Sequence, residues 1–400
     1  MFRLLLRLCL RLCLAQALCV PLVTPAAPFL PTSDTQVLER LPSRADAPRL
    51  REMAALRRAL GAAPRDAALA VRLVDSYLVE LFAEGDPRYL GYAQAALAPW
   101  WKLPAPPTAV RVKRAVLLQF NHAFTPALSD LQAAVATEPD NTEAWAWIAA
   151  ISMVQARYDV ARQACGALHM HSSALIAAAC TAQVDATTGR ATSAIASLQQ
   201  SLRIAPDAPP PERLWALTRL AETQERVGDA RGAEASFREA LALGIEDSYL
   251  RAAHADFLLD QGRAAEVLVA LKDKGRADVL LLRLAIAAKL TQDASLARHS
   301  ATLTARFDAA RLRGDTAHQK EEARFALHVL ADPARALPLA VANFAEQREP
   351  ADARLLLEVA LAAKRQDALT AAAPALAWLR ESAIESGVLQ ALAAKIGALK

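Results

Sequence analysis

Two cysteines and two histidines lie within the sixteen-residue stretch CGALHMHSSALIAAAC, residues 165–180. Thiolates and imidazoles are ligands for zinc and copper, and Cys165 and His169 are one helical turn apart, with His171 following. The spacing matches no established zinc motif, and no Cys-x-x-Cys pattern supports a reactive thiol. A metal site, a disulfide and a pair of buried reduced thiols therefore stay open until the elements that carry Cys165 and Cys180 are known.

The rest of the sequence offers little for catalysis. It contains no glycine-rich phosphate loop, no His-Glu-x-x-His and no Gly-x-Ser-x-Gly. The remaining histidines share no common spacing; they are His122, His254, His299, His318 and His328. We therefore predict a protein that is not an enzyme and that binds no cofactor.

The composition is that of an all-helical protein. Glycine accounts for only 13 of 400 residues and aromatic residues for 5%, while alanine and leucine dominate. Average glycine usage is about 7%, so the turn-rich makeup of a sheet protein is missing. A chain of 400 residues is long enough for two or three ordinary domains or for one long repeat array.

Residues 1–26 have the order of regions that is typical of a secretory signal. Three arginines precede an apolar run over residues 12–23, and Thr24-Pro25-Ala26 provides a small-residue cleavage site. The uninterrupted run is shorter than the roughly 20 apolar residues that a membrane span needs. A mitochondrial presequence is the alternative, because the arginines recur every four residues. We predict that residues 1–26 are removed and that the mature chain, without a membrane span, is periplasmic.

Removal of the signal changes the charge and the cysteine count. The formal net charge falls from +4 to +1 because three arginines leave. A near-neutral chain is not expected to bind nucleic acid, since that affinity depends on neutralising phosphates. Of the five cysteines only Cys165 and Cys180 remain, which is an even pair in an oxidising compartment.

Helix pairs recur along the middle of the chain, with a small residue at a fixed place in each helix. The small residue in the first helix of each pair is an alanine, and these alanines are Ala115, Ala149, Ala182, Ala221 and Ala255. They are separated by 34, 33, 39 and 34 residues. The second helices carry alanine near their starts and a larger residue four positions later: Ala127 with Leu131, Ala161 with Cys165, Ala194 with Leu198, and Ala233 with Phe237. Antiparallel helices approach closely only where a side chain is small. Each hairpin leaves an apolar face that its neighbour must cover, so the hairpins stack into a solenoid.

This pattern resembles the tetratricopeptide repeat (TPR) family, whose period is about 34 residues. The matching residues are Trp145, Ile148, Ala149, Tyr158 and Ala161 in one repeat, and Leu217, Leu220, Ala221, Gly228, Ala233, Phe237 and Ala240 in another. The resemblance implies an all-α fold, a TPR-like α-solenoid of antiparallel helix hairpins that forms a right-handed superhelix. It covers residues 108–281 as about five repeats.

The pattern is looser on both sides of these repeats. Residues 27–45 are expected to be a Pro-rich mobile lead, and residues 46–107 to form N-terminal helical hairpins. Residues 282–400 are expected to form degenerate helical repeats with a capping helix at the end.

The register of the repeats bears on the two cysteines. It places Cys165 in the second helix of one repeat and Cys180 in the first helix of the next, and these two helices pack together in a TPR stack. The resemblance therefore implies a disulfide between Cys165 and Cys180. A metal site that adds His169 and His171 remains the alternative.

TPR arrays commonly bind peptides on the concave face formed by their first helices. The family's groove positions fall here on Val116, Gln119, Ala150, Met153, Gln183, Glu222, Glu225, Arg226, Asp256 and Asp260. The first half of this set is apolar and the second half is acidic. The resemblance thus implies a protein or peptide partner with apolar anchors followed by basic residues.

Aromatic residues cluster ahead of the repeats, at Tyr77, Tyr89, Tyr92, Trp100 and Trp101. We expect them to form a core that closes the N-terminal end of the solenoid. The alternative is a contact patch for a partner, because Trp and Tyr favour interface anchors.

These observations predict an exported, non-catalytic TPR scaffold that binds protein segments through its concave groove. One alternative is a periplasmic metal-handling protein that uses the Cys/His cluster. Another is an accessory subunit of an envelope biosynthetic complex.

Overall fold

A computed structural model describes residues 48–314 and 319–399, and these ranges contain helices and turns but no strand. The predicted signal sequence 1–26 and the Pro-rich lead 27–45 lie outside the described residues. The chain divides into two compact units, residues 1–51 and residues 52–400. Of the first unit only residues 48–51 are described, and they begin helix α1 (Pro48–Ala62).

Helices α2 (Ala67–Glu84), α3 (Arg88–Ala96) and α4 (Ala98–Trp101) follow α1. Five helix pairs come next: α5 (Thr108–Phe120) with α6 (Phe124–Thr137), α7 (Thr142–Val154) with α8 (Tyr158–His171), α9 (Ala174–Thr187) with α10 (Ala191–Ile204), α11 (Pro210–Arg226) with α12 (Ala230–Ala242), and α13 (Ser248–Asp260) with α14 (Ala264–Ala270). The C-terminal helices are α15 (Asp278–Thr291), α16 (Leu296–Leu312), α17 (Gln319–His328), α18 (Pro333–Glu346), α19 (Pro350–Ala363), α20 (Gln366–Ala371), α21 (Ala373–Ser382) and α22 (Gly387–Gly397).

The recurring small residues lie where the helices of these pairs meet. The five alanines of the first helices are at most 4% exposed, and the four of the second helices at most 1%. The larger residues one turn later, Leu131, Cys165, Leu198 and Phe237, are buried as well. Trp215 packs against two successive apolar clusters, so the core continues from pair to pair. The architecture is a TPR-like helical solenoid, as the sequence predicts.

Each first helix of the five pairs ends in the same backbone motif. One residue shortly after the helix has a positive φ of 55–91°, and these residues are His122, Ala156, Gly189, Gly228 and Gly262. The N–H of the following residue donates to the carbonyl five positions back at 2.7–2.9 Å in all five pairs. This is the Schellman ending, which satisfies helix carbonyls and turns the chain into the second helix. Glycine takes a positive φ without steric cost, whereas His122 and Ala156 hold it at some strain.

The C-terminal helices share an apolar cluster and pack back onto the helix pairs. Phe344, Leu356 and Trp378 belong to this cluster, and the ring centroids of Phe344 and Trp378 are 6.3 Å apart. Ala156, in the turn between α7 and α8, packs against the same cluster. The end of the chain therefore covers turns of the repeats that lie far earlier in the sequence.

Helix α10 offers a matched test of the small-residue contacts. Ala194 is 1% exposed and packs in the core, whereas Ala196 on the same helix faces solvent. Ala194→Leu should lower the free energy of unfolding by about 1–3 kcal/mol, because a larger side chain overpacks the contact. Ala196→Leu should leave it nearly unchanged, since Leu and Ala have similar helix propensities. Urea unfolding of both variants measures the difference, and equal stabilities would contradict the packing argument.

Candidate functional site

Cys165 and Cys180 are joined by a disulfide between α8 and α9. Their Cα atoms are 5.5 Å apart, and both residues are buried in the apolar cluster that spans α5 to α9. The register of the repeats brings the two helices together, as the sequence implies. Both sulfur atoms of the alternative metal site are therefore bonded to each other.

The histidines of that alternative site lie at the end of α8. His169 and His171 are exposed to solvent. Within residues 48–314 and 319–399, no three His, Cys, Asp or Glu side chains come together to hold a metal ion. The described residues therefore provide no set of ligands for the alternative role as a metal-handling protein.

The predicted groove positions lie on helices α5, α7, α9, α11 and α13, and the face that carries them is here called the inner face. Its apolar half is less open than the sequence suggests, because Val116 is 0% and Met153 is 7% exposed. Gln119 and Gln183 are half-buried. Val116 and Met153 therefore contribute to the core, and the accessible apolar surface is formed by other side chains of α5 and α7 together with helix α2.

That surface is a row of three aromatic rings, Phe82, Phe120 and Trp147, here called the aromatic row. The ring centroids of Phe82 and Phe120 are 5.9 Å apart, and those of Phe120 and Trp147 are 6.1 Å apart. Phe82 is 40% exposed, and the other two rings are half-buried. Sequence reasoning missed this row because Phe82 belongs to α2, which lies outside the repeat register.

The acidic half of the inner face is engaged by arginines of the same chain. Arg283 donates from Nε to Oδ1 of Asp256 at 3.0 Å, and Arg324 donates to both carboxylate oxygens of Asp256 at 2.9 and 3.1 Å. Arg354 donates from Nη2 to Oδ1 of Asp260 at 2.7 Å. Burial alone would raise the pKa of Asp256, but Arg283 and Arg324 hold it well below its usual range. The carboxylates expected to meet a basic partner thus bind helices α15, α17 and α19.

A second group of polar side chains joins α11 to α13. The Tyr249 hydroxyl donates to Glu222 Oε1 at 2.6 Å, and the Arg219 guanidinium lies 4.8 Å from the centroid of the Tyr249 ring. Arg219 also pairs with Glu222 at 3.1 Å. Cation–π and charge-assisted contacts of this kind fix the orientation of Glu222. Glu222 is therefore a structural partner of Arg219 and Tyr249, and it retains partial exposure.

Glu225 and Arg226, at the end of α11, have perturbed pKa values. Burial, together with the nearby carboxylates of Asp260 and Asp256, raises the pKa of Glu225 to about 8. Burial lowers the pKa of the Arg226 guanidinium. Arg226 donates from Nη2 to Thr223 Oγ1 in a long hydrogen bond of 3.4 Å. At neutral pH Glu225 is therefore largely protonated, and the inner face carries less negative charge than the sequence implies.

Polar contacts join the C-terminal helices to successive turns of the repeats. The N–H of Arg348 donates to the Val154 carbonyl at 2.7 Å, and Trp378 Nε1 donates to the Tyr158 hydroxyl at 2.8 Å. The N–H of Ala191 donates to the carboxylate of Glu385, which follows α21, at 2.5 Å. These contacts cover the turns that follow α7 and α9 and border the inner face.

The N-terminal aromatic residues are mostly packed together. Tyr77 and Trp100 are 4% and 7% exposed, and the ring centroids of Tyr89 and Tyr92 lie 6.1 and 5.8 Å from that of Tyr77. Trp101 is half-buried, and its carbonyl accepts a hydrogen bond from Arg114 at 2.9 Å. Tyr92 is 49% exposed. The cluster is largely a packed core, and Tyr92 is its most solvent-exposed ring among those named.

None of the helices in the described part of the chain combines the length and the apolar character needed to cross a bilayer.

Comparison with known proteins finds similarity in helix arrangement but not in sequence. No protein-family model matches the chain, and no curated protein is similar to it in sequence. A tetratricopeptide repeat protein from Parabacteroides merdae ATCC 43184 is 14% identical, with 59% of this chain and 93% of that chain covered and a TM-score of 0.38.

Two further structures cover more of this chain. A Rap protein complexed with competence and sporulation factor is 12% identical over 82% of this chain and 98% of that one, with a TM-score of 0.46. The human IFIT1 dimer with m7Gppp-AAAA is 12% identical over 88% and 86%, with a TM-score of 0.43. Likenesses this distant do not indicate what the present chain binds.

Glu225 provides a pH test of this site. The pKa of Glu225 is 4.5 when the chain is unfolded and about 8 when it is folded, so folding favours the protonated carboxyl group; this contribution to stability is fully present below pH 4.5 and is lost as the pH rises to 8. Wild type and Glu225→Gln should therefore be equally stable, apart from a constant offset, below pH 4.5. The variant should become progressively more stable than wild type between pH 4.5 and 8. Urea unfolding across this range measures the difference, and a difference independent of pH would contradict the assignment.

Proposed function

We propose that this chain is an exported, non-catalytic scaffold that binds a protein segment on the aromatic row, which α2 forms with α5 and α7 of the inner face. The fold is a TPR-like helical repeat, an architecture that commonly serves protein interaction by presenting an extended surface on rigid helices. The observation that carries the proposal is the partly exposed row Phe82–Phe120–Trp147, with Val79 48% exposed beside it on α2.

The spacing of the row favours an extended segment. Its ring centroids are 5.9 and 6.1 Å apart. In an extended chain, alternate side chains on one face recur about every 6.6 Å. Apolar residues at alternate positions of a partner segment can therefore each contact one ring, and aromatic anchors of this kind supply most of the energy at protein interfaces.

The acidic positions change the expected partner chemistry. Asp256 and Asp260 bind arginines of α15, α17 and α19, and Glu222 is held by Arg219 and Tyr249. Basic residues in the partner would have to compete with these contacts. We propose that apolar contacts with the aromatic row give the affinity and that the acidic positions serve mainly to hold the C-terminal helices.

Export to the periplasm is part of the proposal. It is supported by the signal-like order of residues 1–26. It is also supported by the disulfide Cys165–Cys180, because structural disulfides persist in oxidising compartments and are rare in the cytosol.

Site-specific photo-crosslinking in the native host tests the proposal. A photo-reactive amino acid at Gln119, next to the row, should capture a protein partner, whereas one at Val269 on α14, 77% exposed, should not. Phe82→Gln should weaken this capture, because loss of an aromatic anchor costs about 2 kcal/mol, or roughly thirty-fold in affinity.

The partly exposed Phe82 is suited to this substitution because its loss leaves the buried core intact. Unchanged thermal stability of Phe82→Gln serves as the control. Equal capture from Gln119 and Val269, or capture from Gln119 that is unaffected by Phe82→Gln, would refute the proposed binding surface.

A further inference from the structure

An open polar cavity of about 480 Å³, lined mostly by exposed side chains, lies where the C-terminal helices meet the helix pairs. It is bounded by α6, by the turn between α7 and α8, and by the turn between α18 and α19. Its lining residues are Thr125, Leu128, Ser129, Gln132, Gln155, Arg157, Ala345, Glu346 and Arg348. The volume falls within the range of about 300–1,000 Å³ that is usual for small-molecule sites.

Two arginines line this cavity, Arg157 from the turn between α7 and α8 and Arg348 from the turn between α18 and α19. Their backbones are fixed, since the N–H of Arg157 donates to the Ser152 carbonyl and that of Arg348 to the Val154 carbonyl, both at 2.7 Å. Neither guanidinium has an ion pair or a hydrogen bond to another side chain within residues 48–314 and 319–399. Arg283, Arg324 and Arg354, by contrast, are all paired with carboxylates.

The electrostatics of the cavity favour an anion. Glu346 is the single acidic lining residue, so two positive charges face one negative charge. Gln132 and Gln155 add amide donors, and Thr125 and Ser129 add hydroxyl donors. Both arginines are exposed to solvent, so a ligand can reach them.

We propose that this cavity binds a phosphate group, held between the guanidinium groups of Arg157 and Arg348. Guanidinium groups donate paired hydrogen bonds to phosphate oxygens, and a doubly charged phosphate can accept from two of them at once. A phosphate group offers at least three oxygen atoms to the two guanidinium groups, whereas a carboxylate offers only two.

The site has a consequence for the packing of the C-terminal helices. Arg157 belongs to the repeats and Arg348 to the C-terminal helices that fold back onto them. A phosphate group held by both binds only when these parts are in contact. Such a ligand stabilises the packed state by mass action, and the gain in free energy grows with the logarithm of its concentration over its dissociation constant.

Titration calorimetry of the full-length protein with inorganic phosphate at low ionic strength tests the site. Saturable one-to-one binding is expected, and Arg157→Gln or Arg348→Gln should each weaken it about tenfold or more, as expected for loss of a charge-assisted contact. The double variant should bind no phosphate. Arg238→Gln on α12, a 76%-exposed arginine remote from the cavity, is the control and should bind like wild type.

Thermal unfolding supplies the second readout. Phosphate should raise the melting temperature of wild type and Arg238→Gln above that in chloride of equal ionic strength, and it should have no such effect on the double variant. A parallel titration with glycerol 3-phosphate identifies the source of the group. Tighter binding than that of inorganic phosphate indicates a phosphate ester, and weaker binding indicates the free ion.

Absence of saturable binding, or binding and stabilisation that persist in the double variant, would overturn the proposal. The proposed binding of a protein segment to the aromatic row does not depend on this result, since the two sites share no residue.

Discussion

Two carboxylates on helix α13 hold the later part of the chain against the helix pairs. Asp256 accepts hydrogen bonds from Arg324, which is 68 residues later, and Asp260 accepts from Arg354, which is 94 residues later. Charge-assisted bonds of this kind are strong when they are shielded from water, because the lower local dielectric enlarges the attraction. These pairs join α17 and α19 to α13, in addition to the apolar cluster that α17 to α19 share. The amount of acidic inner face that is left for a partner depends on these pairs.

Local repeats and long-range contacts differ in how far the sequence predicts them. The positions of the buried alanines repeat every 33–39 residues. This pattern predicts the helix pairs, their turns and the packing of α8 against α9. The disulfide Cys165–Cys180 follows from the same register. Residue type alone does not identify the turn positions with a positive φ. Ala156 and His122 occupy such positions, where three other repeats have glycine.

The packing of the C-terminal helices leaves no periodic signal. The contacts of Arg324 and Arg354 join helices that have no common register with α13, and nothing in the local sequence selects their partners. The same holds for the aromatic row, because Phe82 reaches Phe120 from a helix outside the repeats. The sequence identifies the inner-face positions of the first helices. It does not reveal that Val116 and Met153 are buried or that Asp256 and Asp260 are already paired.

We expect the C-terminal helices to be energetically coupled to α13, and a double-mutant cycle tests this coupling most directly. The free energies of unfolding of Asp256→Asn, Arg324→Gln and the double variant are compared with that of wild type. Residues in direct contact couple by about 0.5–3 kcal/mol, and a stabilising coupling within this range is predicted. Costs that add to within about 0.3–0.5 kcal/mol would show that Asp256 and Arg324 act independently, and they would contradict the proposed packing.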